Sequence, residues 1–176
     1  IDIFYDKESY FYFLKLYNKY ISPIADTFAW CLLKNHFHFL IYIRLEEEIG
    51  FEKLKYSTIT KPKEINPSKQ FGHFFNAYTQ SINKKFSRTG NLFEKPFQRR
   101  EIESETYFQN LIYYIHNNPV THGFVDKIKD YPWNSYHTII SDKPTKLKRQ
   151  IVIEYYGDLE NFIFYHNQNC NLENIT

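Results

Sequence analysis

Two histidines, His36 and His38, stand two positions apart in Asn35-His36-Phe37-His38-Phe39-Leu40-Ile41-Tyr42-Ile43. Alternate side chains of a strand share a face. His36, His38, Leu40 and Tyr42 then fall on one side, and Phe37, Phe39, Ile41 and Ile43 on the other. Two neutral imidazoles projecting side by side from a rigid element are donors for a divalent metal. The spacing also suits an ordinary pair of satisfied histidines, because the chain holds seven in 176 residues. A second segment, Tyr107 to Val120, reads as a helix and its stop. Phe108, Leu111, Ile112 and Ile115 form its apolar stripe. On the helical wheel Tyr114 falls at the edge of that stripe and Tyr113 nearly opposite it. Asn118 lies one turn beyond Tyr114 on the same side. A phenol beside a metal loses its proton more readily and becomes a nucleophile. An amide oxygen one turn away can add a third metal ligand. A tyrosine at a helix edge also serves commonly as a packing residue with a wet hydroxyl.

The elements that must hold these groups follow from periodicity. Residues 8–20 predict an aromatic helix closed by Pro23, with Phe13, Leu14 and Tyr17 at helical spacing. Thr27 to Leu33 and His36 to Ile43 are apolar runs broken at Lys34-Asn35, which predicts a β-hairpin. Residues 44–70 carry Glu46-Glu47-Glu48, Gly50, Pro62 and Pro67 and predict a variable connection. Phe71, Phe74, Phe75, Tyr78 and Ile82 predict a helix over 68–86, ended before Gly90. Leu92 to Ile102 predicts a short extended segment around Pro96. Ser104 as N-cap, followed by Glu105, opens a helix over 104–118 that Pro119 stops. Residues 123–138 read as loop, and 151–165 as an aromatic, apolar stretch of a tail that starts basic at Lys146. Helices alternating with short strands predict an α+β fold.

Composition narrows the classes. The length suits one domain with a real core, and 43% apolar with 24% charged residues is ordinary for a globular protein. Aromatic content of 20% is not ordinary. AT-rich coding explains most of it, and base-stacking surfaces a minor part. A net charge of +2 is no global basic signature, so nucleic-acid binding has to rest on local clusters. Those are Lys84, Lys85 and Arg88; Lys95, Arg99 and Arg100; and Lys143, Lys146, Lys148 and Arg149. Each can hold phosphates, and each also suits a solvated face. Cys31 and Cys170 form no disulfide framework or zinc pattern. No signal peptide and no membrane-length apolar run is evident, and the expected compartment is a reducing cytoplasm. The chain has no methionine and opens mid-pattern at Ile1-Asp2-Ile3-Phe4, which predicts that sequence precedes residue 1.

Four segments in order resemble the HUH-type single-strand DNA transposases, in particular the REP-associated tyrosine transposases. "CLLKNHFHFLI" (Cys31 to Ile41) looks like that family's His–hydrophobic–His strand preceded by Asn. "GNLFEKPFQRREI" (Gly90 to Ile102) is similar to its Gly-x-Leu-Phe/Trp…Phe segment. "YIHNNPVTHGFV" (Tyr114 to Val125) resembles its Tyr-Ile-His-x-Asn-Pro-Val…Gly segment, and "YPWNSY" (Tyr131 to Tyr136) its Trp-x-Ser-Tyr element. The likeness covers roughly residues 1–140 and departs from the family in lacking its first strand.

The resemblance implies a ferredoxin-like antiparallel sheet with helices on one or both faces, the first strand lying before residue 1. Residues 1–140 would form the catalytic domain, and 141–176 a C-terminal basic and aromatic extension packed on it. It implies that His36, His38 and Asn118 bind Mg²⁺ or Mn²⁺, and that Tyr114 attacks single-stranded, hairpin-forming DNA to leave a 5′-phosphotyrosine and a free 3′-hydroxyl. DNA contacts would come from Lys84, Lys85, Arg88, Lys95, Arg99 and Arg100. It further implies a bacterial cytoplasmic, nucleoid-associated protein with no membrane partner, and a homodimer is compatible with it. A covalent intermediate conserves bond energy, consistent with the lack of a Walker-type phosphate loop. Imidazole donors favour manganese over magnesium. Two other readings stay open: a domesticated DNA-hairpin binder without cleavage, and a non-nucleic-acid metalloenzyme using His36 and His38 with His116 or His122.

Overall fold

The computed structural model describes residues 1–49, 65–93 and 98–168. It is α+β. The elements in order are α1 (Lys7–Tyr20), β1 (Ala25–Leu32), β2 (Phe37–Ile43), α2 (Pro67–Lys85), α3 (Glu105–Thr121), α4 (Tyr136–Ile140), α5 (Arg149–Tyr155) and α6 (Leu159–His166), with 3₁₀ turns at Glu46–Glu48 and Ile128–Asp130. The chain divides into two compact units. One holds residues 3–26 and 42–97, and the other holds 27–41 and 98–176.

In the first unit, α1 starts where Asp6 and Ser9 form a capping box, with Ser9 N–H donating to Asp6 Oδ1 at 2.8 Å. Asn66 caps α2, and Pro67 takes its first turn, where the missing N–H costs nothing. α1 and α2 pack through rings: Phe13 lies 4.7 Å from Phe74 and 4.9 Å from Tyr78, centroid to centroid. Tyr78 Oη donates to Ile3 O at 3.0 Å, which satisfies the buried hydroxyl of that ring. Much of the aromatic excess therefore serves packing. The helices match the 8–20 and 68–86 expectations to within a residue. The proposed connection over 44–70 falls largely outside the described residues.

In the second unit, the turn of the hairpin closes with Leu33 N–H donating to His36 O at 2.8 Å. β1 and β2 form a two-stranded antiparallel sheet. Residues 133–135 run beside β1 through a bridge of Cys31 with Asn134, and Leu32 N–H donates to Trp133 O at 2.8 Å. Ala29, Cys31, Leu33 and Leu40 of the hairpin bury against Ile112 and Ile115 of α3, Ile139 of α4, Val152 of α5 and Phe162 of α6. Burial pushes the Cys31 thiol pKa up, as expected of an inert core thiol.

Three expectations change here. Pro119 does not stop α3, which runs on to Thr121. So close to the helix end, a proline forfeits one ladder bond, and its buried ring packs instead. The stop is a Schellman turn: Gly123, at φ +70°, donates its N–H to Val120 O at 3.0 Å, and Phe124 N–H donates to Pro119 O at 2.8 Å. Tyr113 is not turned to solvent but is 2% exposed, because α6 covers that side of α3. Residues 123–138 are not all loop, since they hold a 3₁₀ turn and the start of α4. Residues 98–102 have no regular structure. Among the described residues no helix is long and apolar enough to cross a membrane.

Candidate metal and nucleophile site

β2 and α3 bring the groups together inside the second unit. Leu40 is buried against α3. The alternation of β2 therefore turns His38 and His36 toward the same helix. On α3 and its C-cap, Tyr114, Asn118 and His122 repeat every four residues and form one stripe. The His38 ring lies 5.7 Å from that of Tyr114, the His36 ring 5.3 Å from that of His38, and the His122 ring 5.1 Å from that of His36. Strand and helix thus run past each other with Tyr114 beside His38 and Asn118 beside His36. All of this occurs within a single chain.

His36 is the pivot. Its Nε2 lies 3.2 Å from Asn118 Oδ1, and its Nδ1 lies 2.9 Å from Asn35 Oδ1. A neutral ring carries one N–H. If Nδ1–H donates to Asn35, the Nε2 lone pair faces the Asn118 oxygen with no proton between them. Two such facing donors suit a small cation, whose neighbouring ligands stand about 3 Å apart. Asn118 is 1% exposed, and its Nδ2 has no hydrogen-bond partner. A buried amide so poorly satisfied fits a ligand position better than a structural one. The donor set fits a divalent ion in this way, with Asn35 orienting one ligand through its second nitrogen.

The electrostatics favour the ligating form. Burial lowers the His36 pKa, the facing Asn118 oxygen, which favours a protonated ring, opposes this, and His122 adds to the lowering. His38 is pushed down to about 4, by burial first and then by the charges of His36 and His122. Both rings are therefore neutral near pH 7 and can offer lone pairs. Among the described residues no group of three or more His, Cys, Asp or Glu side chains is placed to hold a metal ion; beside the imidazoles stands the Asn118 amide oxygen.

The remaining sequence candidates lie elsewhere. His116 is fully buried on the other side of α3, hydrogen-bonded to His166 and Ser135. Arg99 and Arg100 are exposed just before α3, with Arg100 over the Tyr107 ring at 5.3 Å. Lys84, Lys85 and Arg88 belong to the first unit. There Lys85 pairs with Asp6 at 2.7 Å and Glu8 at 2.5 Å, and Arg88 donates to Asn83 at 3.0 Å. Lys95 lies outside the described residues. His122 and Asn35 join the site beyond the expected set. The four-residue repeat 114, 118, 122 is the signal for His122, but it needs a helix that continues past Pro119.

No family model matches the chain. It is 28% identical over 117 residues to a Haemophilus influenzae protein named as a candidate REP-associated tyrosine transposase, a match that takes in 64% of this chain and 59% of that protein. The chain thus spans less than two thirds of the length of that curated relative. Its fold is similar to that of a solved REP-associated tyrosine transposase bound to a REP hairpin, with a TM-score of 0.54 at 16% identity over 78% of this chain and 70% of that one. In sequence and in fold, then, the chain is similar to the REP-associated tyrosine transposases.

Proposed function

We propose that this protein cuts and rejoins single-stranded, hairpin-forming DNA, with Tyr114 as nucleophile and His36, His38 and Asn118 as donors to Mg²⁺ or Mn²⁺. The observation that carries this reading is the meeting of strand imidazoles, helix amide and helix phenol: His36 Nε2 lies 3.2 Å from Asn118 Oδ1, and the His38 and Tyr114 rings stand 5.7 Å apart. The Haemophilus influenzae relative and the solved structure both carry the transposase name, and the solved one holds a hairpin. A ferredoxin-like sheet goes with the reading, and the lane of residues 133–135 beside β1 supports it.

The chemistry follows from the groups. A phosphodiester is anionic and repels an anionic nucleophile. The chemistry a divalent ion supplies when bound here is neutralisation of a non-bridging phosphate oxygen. Tyr114 Oη gives its proton to solvent and forms a bond to phosphorus. The bond from phosphorus to the 3′-oxygen breaks, and that oxygen leaves with a proton from solvent. The 5′-phosphate stays on Tyr114, and attack by a 3′-hydroxyl reverses the step without external energy. Tyr114 and His38 stand together in one chain, which supports a cis arrangement. Arg99 and Arg100, beside the start of α3, are the basic side chains of this unit proposed to hold phosphates, with Lys84, Lys85, Arg88 and Lys95 as further contacts.

A hairpin oligonucleotide with a single-stranded flank, incubated with Mn²⁺ and run on a denaturing gel, tests the reading. Wild-type protein should form a covalent adduct, and Tyr114→Phe and metal chelation should each abolish it. An adduct that persists in Tyr114→Phe removes Tyr114 from its role. Hairpin binding without any cleavage in Mn²⁺ supports the non-cutting alternative.

A further inference from the structure

α3 is held by the C-terminal segment at four points, of which those at Gln109 and His116 lie on the side away from Tyr114. Tyr156 Oη donates to Gln109 O at 2.8 Å, Tyr165 Oη donates to Asn110 Oδ1 at 2.9 Å, and Tyr113 Oη donates to Gln168 O at 2.8 Å. The fourth point is His116, whose Nδ1 lies 3.0 Å from His166 Nε2. His116 is 0% and His166 4% exposed.

The proton positions in this last contact follow from its ends. Phe162 O only accepts, so His166 Nδ1, 2.8 Å away, carries the proton. His166 Nε2 is then an acceptor, and His116 Nδ1 donates to it. His116 Nε2 in turn accepts from the Ser135 hydroxyl at 2.7 Å, and Ser135 Oγ accepts from Trp30 N–H at 2.9 Å. One directed chain of hydrogen bonds therefore runs from β1 through α3 to α6, with each ring nitrogen on it paired.

We propose that α6 positions the site: His166, by gripping His116, sets the rotation of α3 about its axis and so the direction in which Tyr114 and Asn118 point. Residues 114 and 116 lie about 200° apart on the helix, so the grip lies on the far side from the site and leaves it open. A phenol oxygen stands several ångström from the helix axis. A rotation of about 10° shifts it by on the order of 1 Å, and such a misplacement can cost about 100-fold in a positioned reaction. His166 acts through His116 and touches no substrate. The effect on cutting rests on Tyr114 being the nucleophile, but the grip itself does not.

The test combines spectroscopy and kinetics on the full chain. Side-chain ¹⁵N NMR of the wild-type protein should show both His116 and His166 as neutral Nδ1–H tautomers; an Nε2–H tautomer at His166 overturns the proposal. With Mn²⁺ and a hairpin oligonucleotide, His166→Leu should slow single-turnover adduct formation by about 10- to 100-fold while hairpin binding stays nearly constant. His166→Gln, which keeps an acceptor for His116, should restore most of the rate. Val152→Ala removes buried volume from α5 without touching the chain of bonds, and should lower the melting temperature without slowing the reaction well below it. A wild-type rate in His166→Leu, or an equal loss in Val152→Ala, overturns the proposal. If His166→Leu fails to fold, Tyr165→Phe, which removes one hydroxyl facing Asn110, should slow the reaction without weakening hairpin binding, and an unchanged rate overturns the proposal. If wild type forms no adduct, the nucleophile reading falls and the grip is decided by the His36 and His38 ring resonances. Those must move in His166→Leu, or in Tyr165→Phe in its place, and stay in place in Val152→Ala; unmoved resonances in the grip variant overturn the proposal.

Discussion

The side chain of Asn118 is buried, its oxygen faces the His36 ring, and its nitrogen meets no acceptor. An unsatisfied buried amide costs about 1–3 kcal/mol, which offsets what the packing of the side chain contributes. Asn118→Ala should therefore leave the metal-free unfolding free energy within about 1 kcal/mol of wild type. The same change should weaken Mn²⁺ binding by at least about 10-fold, as measured by calorimetry. Lower stability with unchanged Mn²⁺ affinity would make Asn118 a structural residue. At this scale much of the arrangement was legible: strand alternation put His36 and His38 on one face, and helix phase separated Tyr114 from Tyr113. His122 was harder to place. Its ring reaches His36 only because α3 continues through Pro119, and a residue-by-residue reading penalises that proline without seeing the glycine turn four positions later.

α3 is the element on which the account turns, and its packing makes stability depend on pH. The buried His116 and His166 rings are neutral, their pKa values lowered by loss of hydration, that of His166 to about 4. In the unfolded chain a histidine titrates near 6.5. Between these values the unfolded state binds more protons, so stability is full above about pH 6.5 and is lost as pH falls toward about 4. From about pH 7.5 to pH 5, His166 alone should remove on the order of 2 kcal/mol, and His116 and His38 act in the same direction. Urea unfolding at the two pH values measures this; equal stability would show that the rings accept protons without leaving their places. The tail was legible only as aromatic and apolar. Its two short helices and their grip on α3 depend on partners far away in the chain, which local periodicity does not contain. Tyr113 shows the same limit, since the wheel turned it outward and α6 buries it.

For the whole molecule, a net charge of +2 means that attraction to DNA has to come from local clusters rather than a global field. If Arg99 and Arg100 hold phosphates, the fall of hairpin affinity with salt should be shallower in Arg99→Ala and Arg100→Ala, the slope of log affinity against log salt dropping by roughly 0.7–0.9 for each. An unchanged slope would show these side chains to be merely solvated. The α+β class was legible from the alternation of periods. The division into two units was not, because the hairpin strands contribute residues to both. The central claim remains that Tyr114 forms the covalent bond. Its most direct test is peptide mass spectrometry of protein trapped with a hairpin oligonucleotide in Mn²⁺. The expected product is a phosphonucleotide on Tyr114; a nucleotide on Tyr113 or any other residue, or no covalent product at all, would rule Tyr114 out as the nucleophile.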